Sequence, residues 1–202
     1  MALVNDPNGV VSVTATGVEM ASGDRHDVDV LIYATGFDSN HIPFPVTGRD
    51  GVSLADQYGA NEANNWQMTQ PQSLWGMHVE NLPNFYLMIG PQSLNPVTNV
   101  TLLCEEQGKY IANLVARMRK QGENEVEPTA AAVADWTQRC NASADGKVWL
   151  RCNNWYMKST KSDVEAGRER SQGMWMDTYE TYLQHVLGGA GGSQETLLRF
   201  RA

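Results

Sequence analysis

The stretch Phe85-Tyr-Leu-Met-Ile-Gly-Pro91 decides the fold class, because a loop follows it and then a long helical pattern that opens near Asn99. Five apolar residues in succession, ended by Gly-Pro, predict a strand that is buried on both faces. A second run of this kind, Val30–Tyr33, leads into Ala34-Thr35-Gly36. Buried strands combined with helices predict an α/β protein.

The helix that follows the first stretch is the longest in the sequence and is expected to end at Gly122. Thr98 or Asn99 can cap its first turn, since both side chains accept hydrogen bonds from free backbone N–H groups. Apolar residues recur along it at intervals of three, four and seven, which predicts one buried face. They are Leu103, Ile111, Leu114, Val115 and Met118. Two further helices are predicted, one after Pro128-Thr129 and one over about Met174 to Leu187.

The two ends of the chain have distinct patterns. Val10–Thr14 and Gly17–Met20 are short apolar runs that predict strands, and Ala21-Ser-Gly-Asp-Arg25 has the residue types of a turn. Between residues 37 and 76 the abundance of Pro, Gly, Asn and Gln predicts a long irregular region. The glycine-rich stretch Gly188–Ser193 predicts a flexible tail over residues 188–202.

The composition is that of a globular protein, with 202 residues of which 42% are hydrophobic and 19% are charged. The formal net charge of −8 disfavours binding to nucleic acid or to an anionic membrane surface. No apolar run approaches the roughly 18 residues that a bilayer-spanning helix needs. Three widely spaced cysteines, Cys104, Cys140 and Cys152, predict free thiols in a reducing compartment and hence a cytoplasmic protein.

Two turns are candidates for ligand contact. The small residues Ala34-Thr35-Gly36 would let a ligand approach the backbone, although a tight turn after a core strand is the alternative. Gly90-Pro91 precedes a helix whose first N–H groups can bind an anion or a polar ligand. The four histidines share no metal-ligand spacing, and no G-x-S-x-G, H-E-x-x-H or P-loop motif occurs. We therefore assign no catalytic residue and no metal site.

One stretch also carries a family resemblance. Asp29-Val-Leu-Ile-Tyr-Ala-Thr-Gly-Phe-Asp38 resembles the ATG motif of class B flavin-dependent monooxygenases. Further motifs follow in the order typical of the Baeyer–Villiger branch of that class. They are Gly48-Arg-Asp-Gly51, Trp75-Gly-Met77, Leu82-Pro-Asn-Phe85, Gly90-Pro-Gln-Ser93, Thr98-Asn99 and Trp136-Thr137. The resemblance covers about Val10 to Trp155.

The resemblance implies the C-terminal part of a flavoprotein with two Rossmann-like domains, one for FAD and one for NADP. Residues 1–36 would end the NADP-binding domain with the ATG strand. Residues 37–187 would form the C-terminal part of the FAD-binding domain with substrate-side loops, and residues 188–202 a tail. The sheets would be incomplete, because the N-terminal FAD and NADP regions of the family do not occur in this chain.

The resemblance also implies the site and the reaction. The reaction would use FAD, NADPH and O2 to insert one oxygen atom next to a ketone carbonyl, giving an ester or lactone. The implied cofactor contacts are Ala34, Thr35, Gly36, Gly90, Pro91, Asn99, Val100 and Trp155. The implied substrate side is Ser93, Leu94, Asn95, Pro96 and Val97. Neither G-x-G-x-x-G fingerprint of the family occurs, so we expect the chain alone to be inactive.

Two alternatives stay open at the level of the sequence. A relative that oxidises nitrogen or sulfur centres would use the same cofactors. A non-catalytic binding or assembly module, derived from a truncated gene, would keep the acidic surface and bind no flavin.

Overall fold

The computed structural model describes residues 3–4, 6, 9–34, 44–64, 68–94, 98–147, 174–187 and 194–202. The chain divides into two compact units, Met1–Ser39 and Asn40–Ala202. Several predicted site residues lie outside the described residues; they are Thr35, Gly36, Asn95, Pro96, Val97 and Trp155. Of the helices in the described part of the chain, none is both long enough and apolar enough to cross a bilayer.

The first unit contains a small antiparallel sheet. Strands β1 (Val10–Val13), β2 (Gly17–Met20) and β3 (Arg25–Asp27) pair in the order β1-β2-β3. The turn between β2 and β3 has Gly23 at φ +90°, and the Gly23 N–H donates to the Met20 carbonyl at 2.9 Å. The two predicted strands and the turn that follows them are confirmed, because their apolar and turn signals are local in sequence.

The predicted buried strand Val30–Tyr33 is wrong for this structure. These residues belong to no strand, and their exposed fractions are 75%, 40%, 81% and 73% in sequence order. A strand that is buried on both faces needs neighbouring strands for its backbone groups and packed layers above and below it. The strands described in this unit pair with one another and leave this run without a partner strand.

The second unit is mainly helical. The helices formed by its described residues are α1 (Leu54–Gln57), α2 (Val100–Gln121), α3 (Ala130–Ala144), α4 (Tyr179–Val186) and α5 (Gln194–Leu197). Single 3-10 turns occur at Arg49–Gly51 and Glu62–Asn64. Strands β4 (Glu125–Pro128) and β5 (Leu198–Arg201) form an antiparallel pair. The predicted helix from Met174 therefore starts later, where the Thr178 side chain caps it.

The helix ends are those expected from the sequence. Asn99 rather than Thr98 caps α2, and Gly122 ends it in a left-handed conformation with φ +73°. The Thr129 hydroxyl accepts a hydrogen bond from the Ala132 N–H at 3.2 Å and caps α3. Caps of this kind depend on residues within one turn of the helix end, so a local sequence pattern is enough to predict them.

The main core lies between α2, α3 and α4. The Trp136 ring stacks on Trp175 with centroids 5.1 Å apart, and Tyr182 meets Trp136 edge to face at 6.1 Å. From α2 the core receives Leu103, Tyr110, Leu114 and Met118. A smaller apolar cluster contains Leu54, Tyr58, Val79 and Leu82.

The second predicted strand, Phe85–Ile89, is also wrong. Only Tyr86 makes a bridge, to His78, and Ile89 has φ +54°, which ends any extended backbone. The segment is half-buried rather than enclosed between sheet neighbours. It is a loop held by isolated hydrogen bonds, from the Leu87 N–H to the Met77 carbonyl and from the Ile89 N–H to the Gln107 side chain, so an apolar run alone does not distinguish it from a strand.

The predicted flexible tail needs correction over its last residues, because Leu198–Arg201 pair with Glu125–Pro128. Glu127 is buried, and its carboxylate lies 3.3 Å from Arg199 and 3.6 Å from Arg49. Leu198 is buried in the main core, so alternate side chains of β5 face the core and the charged edge. The glycine-rich composition that predicted a tail is confined to residues 188–193, which lie outside the described residues.

We expect the purified chain to self-associate or to bind a hydrophobic dye, because Val30–Tyr33 exposes four apolar side chains in succession. Light scattering after gel filtration and dye fluorescence measure these two properties. The double substitution Val30→Ser and Ile32→Ser should reduce both signals. The control Leu187→Ser removes a single exposed apolar side chain, 54% exposed, and should leave them unchanged. A monomer that binds no dye and melts in one sharp transition would contradict this expectation.

Candidate functional site

Two turns of the second unit lie against each other, one around Gly76 and one over Gly90–Leu94. The Gly90 N–H donates to the Gly76 carbonyl at 2.9 Å. A Cβ atom on Gly76 would lie 2.5 Å from the Ser93 Cβ, and one on Gly90 would lie 2.7 Å from the Leu87 Cβ. Both glycines are therefore required by the close approach of chain segments within the protein.

Three non-glycine residues in these turns have left-handed backbone, with φ +60° at Trp75, +54° at Ile89 and +63° at Gln92. This conformation is rare for a β-branched residue such as Ile89. It costs about 1–3 kcal/mol per residue and persists only where the surrounding contacts enforce it. The contacts of Gln92, Ser93 and Gln107 do this here.

Gln92 joins the second turn to α3. Its Oε1 atom accepts a hydrogen bond from the Ser73 N–H at 3.0 Å, and its Nε2 atom donates to the Thr137 hydroxyl at 3.0 Å. Its backbone carbonyl accepts from the Trp136 ring N–H, also at 3.0 Å. The side chain is 2% exposed, so these bonds replace water for a fully buried amide.

Ser93 and Leu94 join the same turn to the segment before α4. The Ser93 carbonyl accepts from the Trp175 N–H at 2.8 Å, and Leu94 forms a parallel bridge with Trp175. Both side chains are almost fully buried, and Leu94 belongs to the main core. Contact of Ser93 and Leu94 with a substrate stays a prediction, and their structural role is to anchor the turn.

Gln107 joins the turn to α2. Its Oε1 atom accepts from the Ile89 N–H at 2.9 Å, while its Nε2 atom lies 3.1 Å from the Ser93 hydroxyl and 2.9 Å from the Tyr182 hydroxyl. The Tyr182 hydroxyl donates to the Trp75 carbonyl at 2.6 Å. One buried network thus connects both turns with α2 and α4.

The chain enters α2 at an exposed N-terminus. The Asn99 Oδ1 atom accepts from the Thr101 N–H at 3.0 Å and from the Leu102 N–H at 3.3 Å. Val100 is 47% exposed and Leu102 is 39% exposed, so apolar side chains surround the positive end of the helix dipole. This arrangement suits a flat, partly apolar ligand with an electronegative edge.

Four of the predicted cofactor contacts lie in described segments of the second unit. Gly90 and Pro91 are half-buried in the anchored turn, and Asn99 and Val100 are exposed at the start of α2. Ala34 is exposed in the first unit. Their roles as cofactor contacts stay predictions, as do those of Thr35, Gly36, Trp155 and residues 95–97.

The sequence reasoning missed the buried polar residues. His78 is 1% exposed, its Nε2 atom lies 2.9 Å from the Tyr110 hydroxyl, and burial lowers its pKa to about 3. It is therefore neutral at physiological pH and serves as a packed hydrogen-bonding group. Gln107 and Tyr110 share the buried face of α2 with Leu103 and Leu114, so the helical period alone could have found them. Among the described residues, no three His, Cys, Asp or Glu side chains gather into a metal site.

Comparison with known proteins finds monooxygenases. The chain is 30% identical over 149 residues to a Baeyer-Villiger monooxygenase of Pseudooceanicola batsensis, a match that covers 72% of this chain and 25% of that protein. The chain is also similar to the crystal structure of cyclohexanone monooxygenase from Rhodococcus sp. Phi1 bound to NADP+, with a TM-score of 0.72 and 27% sequence identity. The match covers 96% of this chain and 34% of that enzyme's chain. No protein-family model matches the chain.

A second structural neighbour is the OTEMO complex with FAD and NADP, with a TM-score of 0.70. At 24% identity this likeness shows the fold; it covers 95% of this chain and 33% of the neighbour. The chain therefore spans about a quarter to a third of the length of these proteins.

We expect Gly76→Ala to destabilise the second unit by about 1–3 kcal/mol or more, because Gly76 has φ +73° and its new methyl would collide with Ser93. The matched control is Gly108→Ala within α2, where a Cβ meets nothing within 4 Å. That change should stabilise by roughly 0.5–1 kcal/mol, the helix-propensity gain of Ala over Gly. Denaturant unfolding of both variants measures the difference. Equal effects would show that the two turns do not approach as described.

Proposed function

Because the chain is homologous to a segment of the Baeyer–Villiger-type flavin-containing monooxygenases, we propose that it is part of such an enzyme. The α/β flavoprotein fold class that the motifs implied is confirmed by its structural neighbours. The whole enzyme would use FAD, NADPH and O2 to insert one oxygen atom next to a ketone carbonyl. Residues 1–36 would belong to its NADP-binding domain and residues 37–187 to its FAD-binding domain.

One observation supports this role most directly: the anchored turn over Gly90–Leu94 precedes the exposed N-terminus of α2 in the chain. Gly90 and Pro91 lie in the turn, and Asn99 and Val100 lie at the helix start. Partial positive charge beside exposed apolar side chains fits the ring of a flavin, whose pyrimidine edge carries carbonyl oxygens. These four residues would hold the ring, and bound FAD would supply the activation of oxygen.

The residues of this chain do not fit the rest of FAD. Pyrophosphate binding in Rossmann-like folds depends on a glycine-rich turn at a helix N-terminus, and no G-x-G-x-x-G motif occurs in this sequence. Ala34, Thr35, Gly36 and Trp155 would contact NADP. We infer that this chain supplies the ring side of the site and that other parts of the enzyme supply the phosphate side.

The substrate side would be the loop that begins at Ser93. Ser93 and Leu94 are buried, so they would act by supporting the loop, whereas Asn95, Pro96 and Val97 would contact the ketone. Apolar residues in such a loop suit a carbon skeleton, and one methylene in such a pocket changes relative rates by roughly 10–200-fold. The identity of the ketone would therefore be set at residues 95–97.

We propose a cytoplasmic enzyme whose partners are a small ketone, O2 and the N-terminal FAD and NADP regions of the family. Nitrogen or sulfur oxidation, and a non-catalytic assembly module, are the alternatives. They predict different outcomes in the second of the two experiments that follow.

We expect the purified chain to be colourless, because it contains no dinucleotide fingerprint that could retain FAD through its phosphates. The measurement is the visible absorbance of the chain after incubation with FAD and gel filtration. Stoichiometric flavin absorbance in the protein peak would refute the division of the site described above.

The function itself is tested in a chimera, in which this chain replaces the matching third of the Rhodococcus cyclohexanone monooxygenase. We expect the chimera to retain FAD and to convert cyclohexanone to a lactone with NADPH. Asn99→Ala should cost about 1 kcal/mol through the lost cap, and in addition weaken FAD retention. Thr129→Ala removes the equivalent cap of α3 and should leave FAD retention unchanged.

Three outcomes would count against the proposal. A folded chimera that retains FAD and oxidises only sulfides or amines favours the nitrogen- or sulfur-oxidising alternative. A folded chimera that retains no FAD favours the assembly module. Equal loss of FAD in the Asn99 and Thr129 variants would show that Asn99 acts only as a cap.

A further inference from the structure

We propose that Gln107 is a positioning residue. It holds the turn over Gly90–Leu94, together with the strained residue Ile89 before it, in a set position relative to the N-terminus of α2. The inference rests on the proposed function, because it assigns to Gln107 the alignment of the two segments that would hold the flavin ring. Gln107 itself is 1% exposed and contacts neither ligand in the proposal.

The contacts of Gln107 reach both ends of the turn. Its Oε1 atom accepts from the Ile89 N–H at 2.9 Å, before Gly90, and its Nε2 atom donates to the Ser93 hydroxyl at 3.1 Å, after it. The same Nε2 atom donates to the Tyr182 hydroxyl at 2.9 Å and lies 3.5 Å from the Trp75 carbonyl. A primary amide is the side chain that supplies an acceptor and two donors at this length.

The backbone of the turn explains why the Gln107 hydrogen bonds to Ile89 and Ser93, which we call the clamp, are needed. Ile89 has φ +54° and Gln92 has φ +63°, which is unfavourable for both residues and worst for the β-branched one. A bond to the N–H of Ile89 opposes its relaxation to negative φ. Removal of the amide would also leave the partly buried Ile89 N–H without this partner, which favours rearrangement of the turn.

The clamp is rigid relative to the helix start. Gln107 lies eight residues after Asn99 on the same helix, or about 12 Å along its axis at 1.5 Å per residue. Within α2 this spacing is constant, so the Gln107 bonds set the turn at one distance from the capped start of the helix at Asn99.

The test uses the chimera and the substitution Gln107→Met, which keeps an unbranched side chain with good helix propensity and removes the amide. Ser93→Ala removes one bond of the clamp and serves as a milder second variant. The controls are Gln138→Leu, an exposed glutamine of α3, and Leu114→Ala, which opens a cavity on the buried face of α2.

We expect Gln107→Met to lower kcat for lactone formation by about 10–100-fold, the effect of a misplacement near 1 Å, with KM for NADPH changed less than about 2-fold. Lactone formed per NADPH should fall as well. Leu114→Ala should lower the melting temperature and leave the ratio of lactone to NADPH unchanged, as should Gln138→Leu. Unchanged kcat and ratio in the Gln107 variant, or the same losses in the Leu114 variant at equal melting temperature, would overturn the proposal.

A readout independent of catalysis separates this inference from the proposed function. In the present chain, hydrogen exchange at the Ile89 amide should be at least about 10-fold faster in Gln107→Met than in the unaltered protein, because the bond that protects it is lost. If the unaltered chimera makes no lactone, the proposed function fails while the exchange result still decides whether Gln107 holds the turn. An unchanged exchange rate at Ile89 would overturn the clamp itself.

Discussion

The second unit depends on the close approach of two backbone turns at Gly76 and Ser93. The distance is short enough that residue 76 cannot carry a Cβ, and the facing carbonyl of Gly76 is satisfied by the Gly90 N–H. Such an approach leaves several backbone groups away from water, and each must find a partner within the protein. The buried amides of Gln92 and Gln107 accept hydrogen bonds from two backbone groups near this contact, the N–H groups of Ser73 and Ile89.

The aromatic packing extends from the same place. Trp136 donates its ring N–H to the Gln92 carbonyl and stacks on Trp175, which in turn bonds to the carbonyl of Ser93. The Trp136 ring thus has one polar contact to the turn and an apolar face in the core, whereas Trp175 bonds to the turn through its backbone N–H and donates its ring N–H to the Thr181 hydroxyl at 3.3 Å. This combination gives a buried tryptophan both its area and a partner for its N–H group. Through these two tryptophans, α3 and the segment before α4 are fixed to a turn rather than to a sheet.

The first unit shows the opposite situation. Its three short strands satisfy one another, while Val30–Tyr33 remains exposed although its composition is that of a central strand. The relatives are about three times as long as this chain, since the matched residues make up a quarter to a third of their length. An apolar run of this kind becomes a buried central strand only when other strands pair with it on both sides. In the proposed larger flavoprotein, other parts of the enzyme would supply these neighbouring strands.

The sequence by itself determined the features that depend on near neighbours. Asn99 and Gly122 delimit α2, Thr129 starts α3, and Gly23 makes the turn of the small sheet, because caps and turns are decided within about four residues. The ordered motifs, for their part, predicted the kind of relatives that comparison with known proteins finds. Tertiary structure alone decided the pairing of β5 with β4, at least seventy residues away in sequence, and the burial of Gln107 against Ile89 and Ser93. Long-range pairs of this kind depend on which surfaces the folded chain brings together, and a one-dimensional pattern of apolar residues contains no record of that choice.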